Sequence, residues 1–205
     1  MTADDGKKGQ HRAYRLLHPV SCIVVGVPAS GKTTLALELA RSLDSAAYLS
    51  KDMLQSPFTG TERVEGSTYS LISRPTFQTL VNFTDIQLSL GKIPVIDAPF
   101  SINHWRGDSL SDWITPFRTV AEKRNARLAV IRCVPPGEDA LRARIEKRNL
   151  PRDGWKLEHW QAFLEREPMD FPIDHGDTCR VVTDRPATDL VQDLLRGFLK
   201  AVCRE

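Results

Sequence analysis

No stretch of this 205-residue sequence approaches the roughly 20 consecutive apolar residues that a membrane-spanning helix needs, and no membrane partner is expected. There is no CxxC pair and no Cys/His ligand spacing either. The four cysteines, Cys22, Cys133, Cys179 and Cys203, lie far apart, which argues against a disulfide framework and a zinc site. Three of them sit in apolar runs, where a reduced cysteine behaves as a small buried hydrophobe. A reducing, cytoplasmic setting is therefore expected. An excess of one charge is missing as well: 28 Lys and Arg against 26 Asp and Glu leave a formal +2. Nothing in that balance demands a nucleic acid or an anionic membrane. The five histidines (His11, His18, His104, His159 and His175) show no metal-ligand spacing. Internal repeats, low-complexity tracts and a convincing linker are also absent. The polar N-terminal stretch lacks the apolar centre of a secretory signal. Residues 1–19 read as a flexible basic tail on which Leu16 and Leu17 pack against the domain, and 20–205 as a single domain.

What is present is a hydrophobic fraction of 41% and an alternation of apolar runs with helical patterns. That alternation signals βαβ units around a parallel sheet. The runs at 20–25, 46–49, 93–96, 128–134 and 180–182 are predicted strands. Most are continuous in Val, Ile and Leu, as strands covered on both faces require. Helices are expected over 32–43, 74–90, 113–125, 138–148, 157–167 and 189–202. In the first of these Leu35, Leu39 and Leu43 recur at i, i+4 and i+8, giving one apolar face.

The strand at 20–25 leads straight into Gly26-Val-Pro28-Ala29-Ser30-Gly31-Lys32-Thr33-Thr34, a GxxxxGK(S/T) loop opening an amphipathic helix. Glycines at both ends let the backbone wrap closely around phosphate oxygens and aim several N–H groups at them. Lys32 adds a mobile positive charge, and the Thr33 hydroxyl is placed to ligate Mg²⁺. ATP and Mg²⁺ are the expected cofactors.

Three other features bear on the chemistry. Leu49-Ser-Lys-Asp52 ends the second strand, where a carboxylate faces the cleft of an open parallel sheet. Asp52 there reads either as the group that orients or deprotonates a hydroxyl or, with Gln55, as a helix-capping box. Ile93-Pro-Val-Ile-Asp97 is an apolar strand closed by a carboxylate, either the Walker B ligand of Mg²⁺ and neighbour of the substrate or a turn former. Arg144, Arg148 and Arg152 form a basic cluster that reads as a mobile phosphate clamp or as a solvated helix face. His104, Trp105 and Arg106 are candidate acceptor contacts. The aromatics of that segment equally suit core or rim packing.

A guanine-reading Asn-Lys-x-Asp is missing, and the chain is short for a mechanical ATPase. The motifs GVPASGKTT, SKD, PVIDAPF and LRARIEKRNLPRDGWKLEHW resemble the small P-loop kinases of the zeta-toxin, chloramphenicol phosphotransferase and polynucleotide kinase type, AAA-like ATP-binding proteins, from Val20 to the C-terminus. The resemblance implies an α/β, three-layer P-loop NTPase fold with a five-stranded parallel sheet in the order 2-3-1-4-5. A helical lid would occupy about 138–168. It also implies Asp52 as general base, Arg148 as the lid arginine on ATP, and Pro186 in the loop that packs near adenine. Gln55 stands where adenylate-kinase-like enzymes carry a phosphate-gripping arginine, which speaks against a nucleoside monophosphate acceptor. The expected activity is transfer of the ATP γ-phosphate to a hydroxyl of a small molecule, a natural product or antibiotic among the options. The alternatives are a polynucleotide 5′ end as acceptor and an ATP-binding regulator that transfers nothing.

Overall fold

In the computed structural model, which describes residues 13–60, 66–99, 110–173 and 176–203, the central strand is β1 (Val20–Val25), buried along its whole length. Its side chains alternate between two cores. Val20, Cys22 and Val24 face one helix layer, and Ile23 and Val25 face the other. That double burial is why the run is apolar at every position but Ser21 instead of alternating. Beside β1 lie β3 (Ile93–Asp97) and β4 (Arg127–Val134), and outside them β2 (Ala46–Ser50) and β5 (Asp177–Val182). All pairings are parallel, in the order β2-β3-β1-β4-β5. The expected architecture is therefore the one observed.

On one face, α1 (Lys32–Ser42) brings Leu35 and Leu39 against Val191 and Leu195 of α8 (Ala187–Arg196) and Leu199 of α9 (Phe198–Val202). On the other face, Leu80 and Val81 of α3 (Gly66–Ser89) join Ile114 and Phe117 of α4 (Leu110–Lys123). Several boundaries differ from expectation: β5 and α4 each start three residues early, at Asp177 and Leu110. The third helix starts at Gly66, well before Arg74, and runs through Pro75. The hydroxyls of Thr76 and Thr79, which follow the proline, bond back to the carbonyls of Ile72 and Pro75. The C-terminal helix is split at Gly197, the residue least suited to a helix interior after proline. The Trp-rich segment is two short helices, α6 (Gly154–Glu158) and α7 (Trp160–Arg166), parted at His159. A helix that the sequence offered only through the Asp52–Gln55 capping pattern, α2 (Lys51–Thr59), follows β2 directly.

Of the N-terminal stretch, the described part touches the domain. Tyr14 N–H donates to Ser42 O at 2.7 Å and Tyr14 O accepts from Asp44 N–H at 2.9 Å. Leu16 packs against the core, whereas Leu17 is 84% exposed.

The helical lid consists of α5 (Glu138–Arg148), a 3-10 turn at Pro151–Asp153, α6 and α7. Its apolar cluster of Leu141, Ile145 and Phe163 includes Val27, so the lid is packed directly on the loop that follows β1. Trp155 and Trp160 border this cluster, Trp160 donating to Glu138. Asp153, 1% exposed, accepts from Arg148 through both carboxylate oxygens (2.5 and 2.6 Å) and from Lys156 at 2.6 Å. Burial would raise its pKa, but the two cations outweigh burial and hold the carboxyl below its ordinary value. The linkage sign follows. An unfolded Asp titrates near 3.9, so this contribution to stability is complete above about pH 4 and is lost as pH falls through the folded value. The lid is expected to loosen in acid before the sheet does. Asp153→Asn should abolish that acid step and open the lid at neutral pH. The cost should be below the about 3–5 kcal/mol of a fully buried pair, since Arg148 keeps some solvent. Hydrogen exchange across 138–168, compared with β1 and β4, measures both effects.

Candidate active site

The loop between β1 and α1 is shaped by residues that tolerate positive φ. Gly26 has φ 151°, and a Cβ there would lie 2.5 Å from Cys133 O and from Ser30 Oγ. Gly31, at φ 93°, is the N-cap of α1. Ala29 takes φ 63° without being glycine, a strain that marks the turn. Ser30 N–H closes it onto Val27 O at 3.1 Å. No side chain caps α1 and no acidic residue sits in its first turn. Its leading N–H groups and the positive end of its dipole are thus left for an anion. Lys32 is half-buried and donates to Val27 O at 3.4 Å, while Thr33 and Thr34 are exposed.

Thr33 Oγ1 donates to Asp97 Oδ2 at 2.6 Å, joining the start of α1 to the end of β3. Asp97 is 4% exposed, and its other oxygen, Oδ1, is buried with no hydrogen-bond partner among the described residues. A buried carboxylate oxygen left unpaired is costly, and beside a threonine hydroxyl it makes a hard-oxygen donor set that fits Mg²⁺. The Tyr48 hydroxyl also donates to Oδ2, at 3.1 Å. Burial, followed by the charge of Asp97, pushes the Tyr48 phenol up to about 12, so it stays protonated.

Asp52 is the second residue of α2. The N-cap is Ser50, whose Oγ accepts from Met53 N–H at 3.0 Å. The capping-box reading of Asp52 and Gln55 is therefore corrected: the helix begins earlier than that box requires, and the Asp52 carboxylate is not spent on the backbone. It is exposed and accepts from Arg152 at 3.0 Å. Partial desolvation by the neighbouring chain would raise its pKa, but Arg152 and then Lys32 outweigh it and hold the carboxyl below its ordinary value. Gln55 ties α2 to Ser73 of α3 at 3.4 Å.

The three arginines have three different partners. Arg144 donates to Thr183 Oγ1 (2.9 Å) and Thr183 O (2.5 Å), while Thr183 Oγ1 donates to Ser30 O at 2.7 Å. Arg144 thus braces the glycine loop through the end of β5. Arg148 is taken up by Asp153, and Arg152 reaches across to Asp52. Pro186 is exposed and opens α8, its carbonyl accepting from Leu190 N–H. His104, Trp105 and Arg106 lie outside the described residues. Sequence reasoning missed Tyr48 and Ser50, although period 2 puts both on one face of β2 and the strand register sets Ser50 beside Asp97. It took Thr183 only as the start of the loop that runs to Pro186, missing its bonds to Arg144 and Ser30, and it gave Asp153 no role.

A parallel sheet in this order, with a glycine loop between its central strand and the first helix and a helical lid above, defines a P-loop NTPase fold. The chain belongs to the AAA domain family (AAA_33), whose sequence model matches residues 22–168. Among solved structures it is similar to a candidate kinase from Chloroflexus aurantiacus J-10-fl, at 22% identity and TM-score 0.65 over 87% of this chain and 98% of that one. A sugar kinase from Janibacter sp. HTCC2649 aligns at 17% identity and TM-score 0.58, over 91% and 99% of the two chains. The Mycobacterium tuberculosis APS kinase CysC, solved with AMPPNP and APS, aligns at 17% and 0.55, over 87% and 96%. At these identities the likeness is one of fold. No curated protein matches the chain. The family match is coarser than the resemblance in the motifs, and it does not separate the zeta-toxin, chloramphenicol phosphotransferase and polynucleotide kinase types.

Proposed function

We propose that this protein is a kinase that transfers the γ-phosphate of ATP to a hydroxyl of a small molecule. The observation that carries the reading is Asp52: a carboxylate free of capping duty, beside the cleft, within the field of the loop lysine. In this reading residues 20–205 work as one domain with its lid at 138–168. Lys32 and the loop amides hold the β- and γ-phosphates. Thr33 and Asp97 would hold Mg²⁺, which when bound offsets charge on the phosphate oxygens. Asp52 accepts a hydrogen bond from the acceptor hydroxyl, aims its oxygen at the γ-phosphorus and takes the proton. A carboxyl kept below its ordinary pKa is a weak base, so the proton moves late, as suits the loose transition state of phosphoryl transfer. Arg152, next to Asp52, is the lid cation on the acceptor side, while Arg144 and Arg148 act by holding loop and lid in place.

The test is ATP turnover with Mg²⁺ across a pooled library of hydroxylated metabolites and natural products, read by the mass shift of phosphorylation. A product that disappears in Asp52→Ala and in Lys32→Ala is expected. Tight ATP binding with no product would overturn the small-molecule reading in favour of a polynucleotide end or an ATP-dependent regulator.

A further inference from the structure

We propose that Tyr48 is a positioning residue for the cation site, an inference that rests on the kinase reading above. In that reading Tyr48 touches neither phosphate nor acceptor and acts through Asp97. The placement follows from the sheet. In the β2–β3 register Tyr48 sits beside Val95 and Ser50 beside Asp97. Residues two apart on a strand share a face, so the Tyr48 ring and the Asp97 carboxylate both lie on the side covered by α1. There the ring packs against the cluster containing Leu35, Leu39 and Val95.

The hydrogen bonds then fix the chemistry. Asp97 Oδ2 accepts from Thr33 Oγ1 at 2.6 Å and from the Tyr48 hydroxyl at 3.1 Å, whereas Oδ1 accepts from nothing among the described residues. Two donors, one on α1 and one on β2, meet at a single oxygen. Together they hold the carboxylate against rotation about its Cβ–Cγ bond and keep the other oxygen in a fixed direction. The Thr33 bond depends on the same arrangement. A hydroxyl has one proton and two lone pairs, so as long as Oδ2 stays in place the Thr33 proton is committed to Asp97 and its lone pairs face outward for a cation. Without the phenol hydroxyl, Thr33 alone among the described residues restrains the carboxylate, and both donor atoms lose their aim. The nucleotide's contacts with Lys32 and the loop amides are untouched. Outer-shell partners of metal-binding carboxylates contribute about 10–100-fold to metal affinity, and the same order is expected here.

Tyr48→Phe keeps the ring and its packing and removes one hydroxyl from a half-buried residue, so the variant is expected to fold. The measurement is the dissociation constant of AMPPNP for the full chain in excess EDTA and again with Mn²⁺, for wild type, Tyr48→Phe and Asp97→Asn. The readout is the tightening that Mn²⁺ produces, which needs no turnover. Wild type should bind AMPPNP more tightly with Mn²⁺, and Asp97→Asn should lose that gain. Tyr48→Phe should bind as wild type in EDTA but show a gain about tenfold smaller at limiting Mn²⁺, restored at high Mn²⁺. A Tyr48→Phe gain equal to wild type, with Asp97→Asn defective, would sink the role of Tyr48 and leave the cation site standing. Equal weakening of Tyr48→Phe with and without Mn²⁺ would mark a merely structural contact and overturn the proposal. Absence of any Mn²⁺ effect in wild type would overturn the cation site, and the role of Tyr48 with it.

Discussion

Asp52→Asn is expected to lower phosphoryl transfer to the acceptor by about 10²–10⁴-fold while leaving ATP affinity within a few-fold of wild type. The two quantities separate because Asp52 is not a member of the phosphate cradle. It starts α2 on the acceptor side, and its link to the cradle is the charge of Lys32. Asparagine retains the size and the hydrogen-bond acceptor but cannot take a proton. Cap loss does not complicate the result, since Ser50 supplies the cap. The pH profile carries a second, independent sign. In the proposed mechanism the active form is the carboxylate, and Arg152 and Lys32 hold its pKa down against partial desolvation. Activity should therefore persist as pH falls from neutral and fail only below the ordinary carboxylate range of about 4. Arg152→Ala removes the nearer cation, so the acid limb should move up toward neutrality. An acid limb that stays put in Arg152→Ala would show that the 3.0 Å contact is not made in the working enzyme. Transfer rates from about pH 3 to pH 8 for the three proteins, with AMPPNP affinity measured alongside, decide both points.

The parallel sheet and the loop were legible because each rests on a local pattern, whereas the strand order came from the resemblance to the small P-loop kinases. Continuous apolar strands separated by helical periods leave few ways to build a parallel sheet, and the run from Gly26 to Thr33 places glycines, lysine and threonine at fixed offsets. The arginine cluster shows where local reading stops. Spacing correctly puts Arg144 and Arg148 one turn apart on α5, but their partners come from 39 and 5 residues away, at Thr183 and Asp153. Sequence distance says nothing of which arginine meets which. Asp153 meets Arg148 and Lys156 because the chain turns at Pro151–Asp153 between α5 and α6, a turn that helical spacing alone does not locate. Asp52 shows the converse. The capping-box pattern was present in the sequence, but the strand–helix junction put the cap two residues earlier and left the carboxylate for other use. Tyr48 stood on a predicted strand and went unread because β2 is only partly buried. Its face could be assigned only once the register against β3 was known.

Gly26→Ala should remove nucleotide binding without unfolding the sheet. A Cβ at this position would sit 2.5 Å from the Cys133 carbonyl and 2.5 Å from Ser30 Oγ, and φ is 151°. Ser30 Oγ makes no hydrogen bond among the described residues and can rotate away. The Cys133 carbonyl cannot, because it belongs to β4, held between β1 and β5 by ladders on both sides. The loop itself must therefore move. Forcing a side chain into a packed site costs about 1–3 kcal/mol, and a φ that only glycine adopts readily costs a similar 1–3 kcal/mol. Every 1.4 kcal/mol that falls on the bound conformation is a factor of about ten in affinity. A loss of ATP affinity of at least tenfold, and on the order of a thousandfold if the whole strain is carried by the loop, is the expected result. Gly137→Ala is the matched control. That glycine also precedes a helix, but its φ of 172° is extended backbone open to any residue, and an added Cβ would meet nothing within 4 Å. If both variants bind AMPPNP as wild type does, the loop is free to shift at Gly26 and does not cradle phosphate in the conformation seen here. If Gly26→Ala alone loses binding and keeps its melting transition, close approach of that backbone to the nucleotide is what the glycine is for.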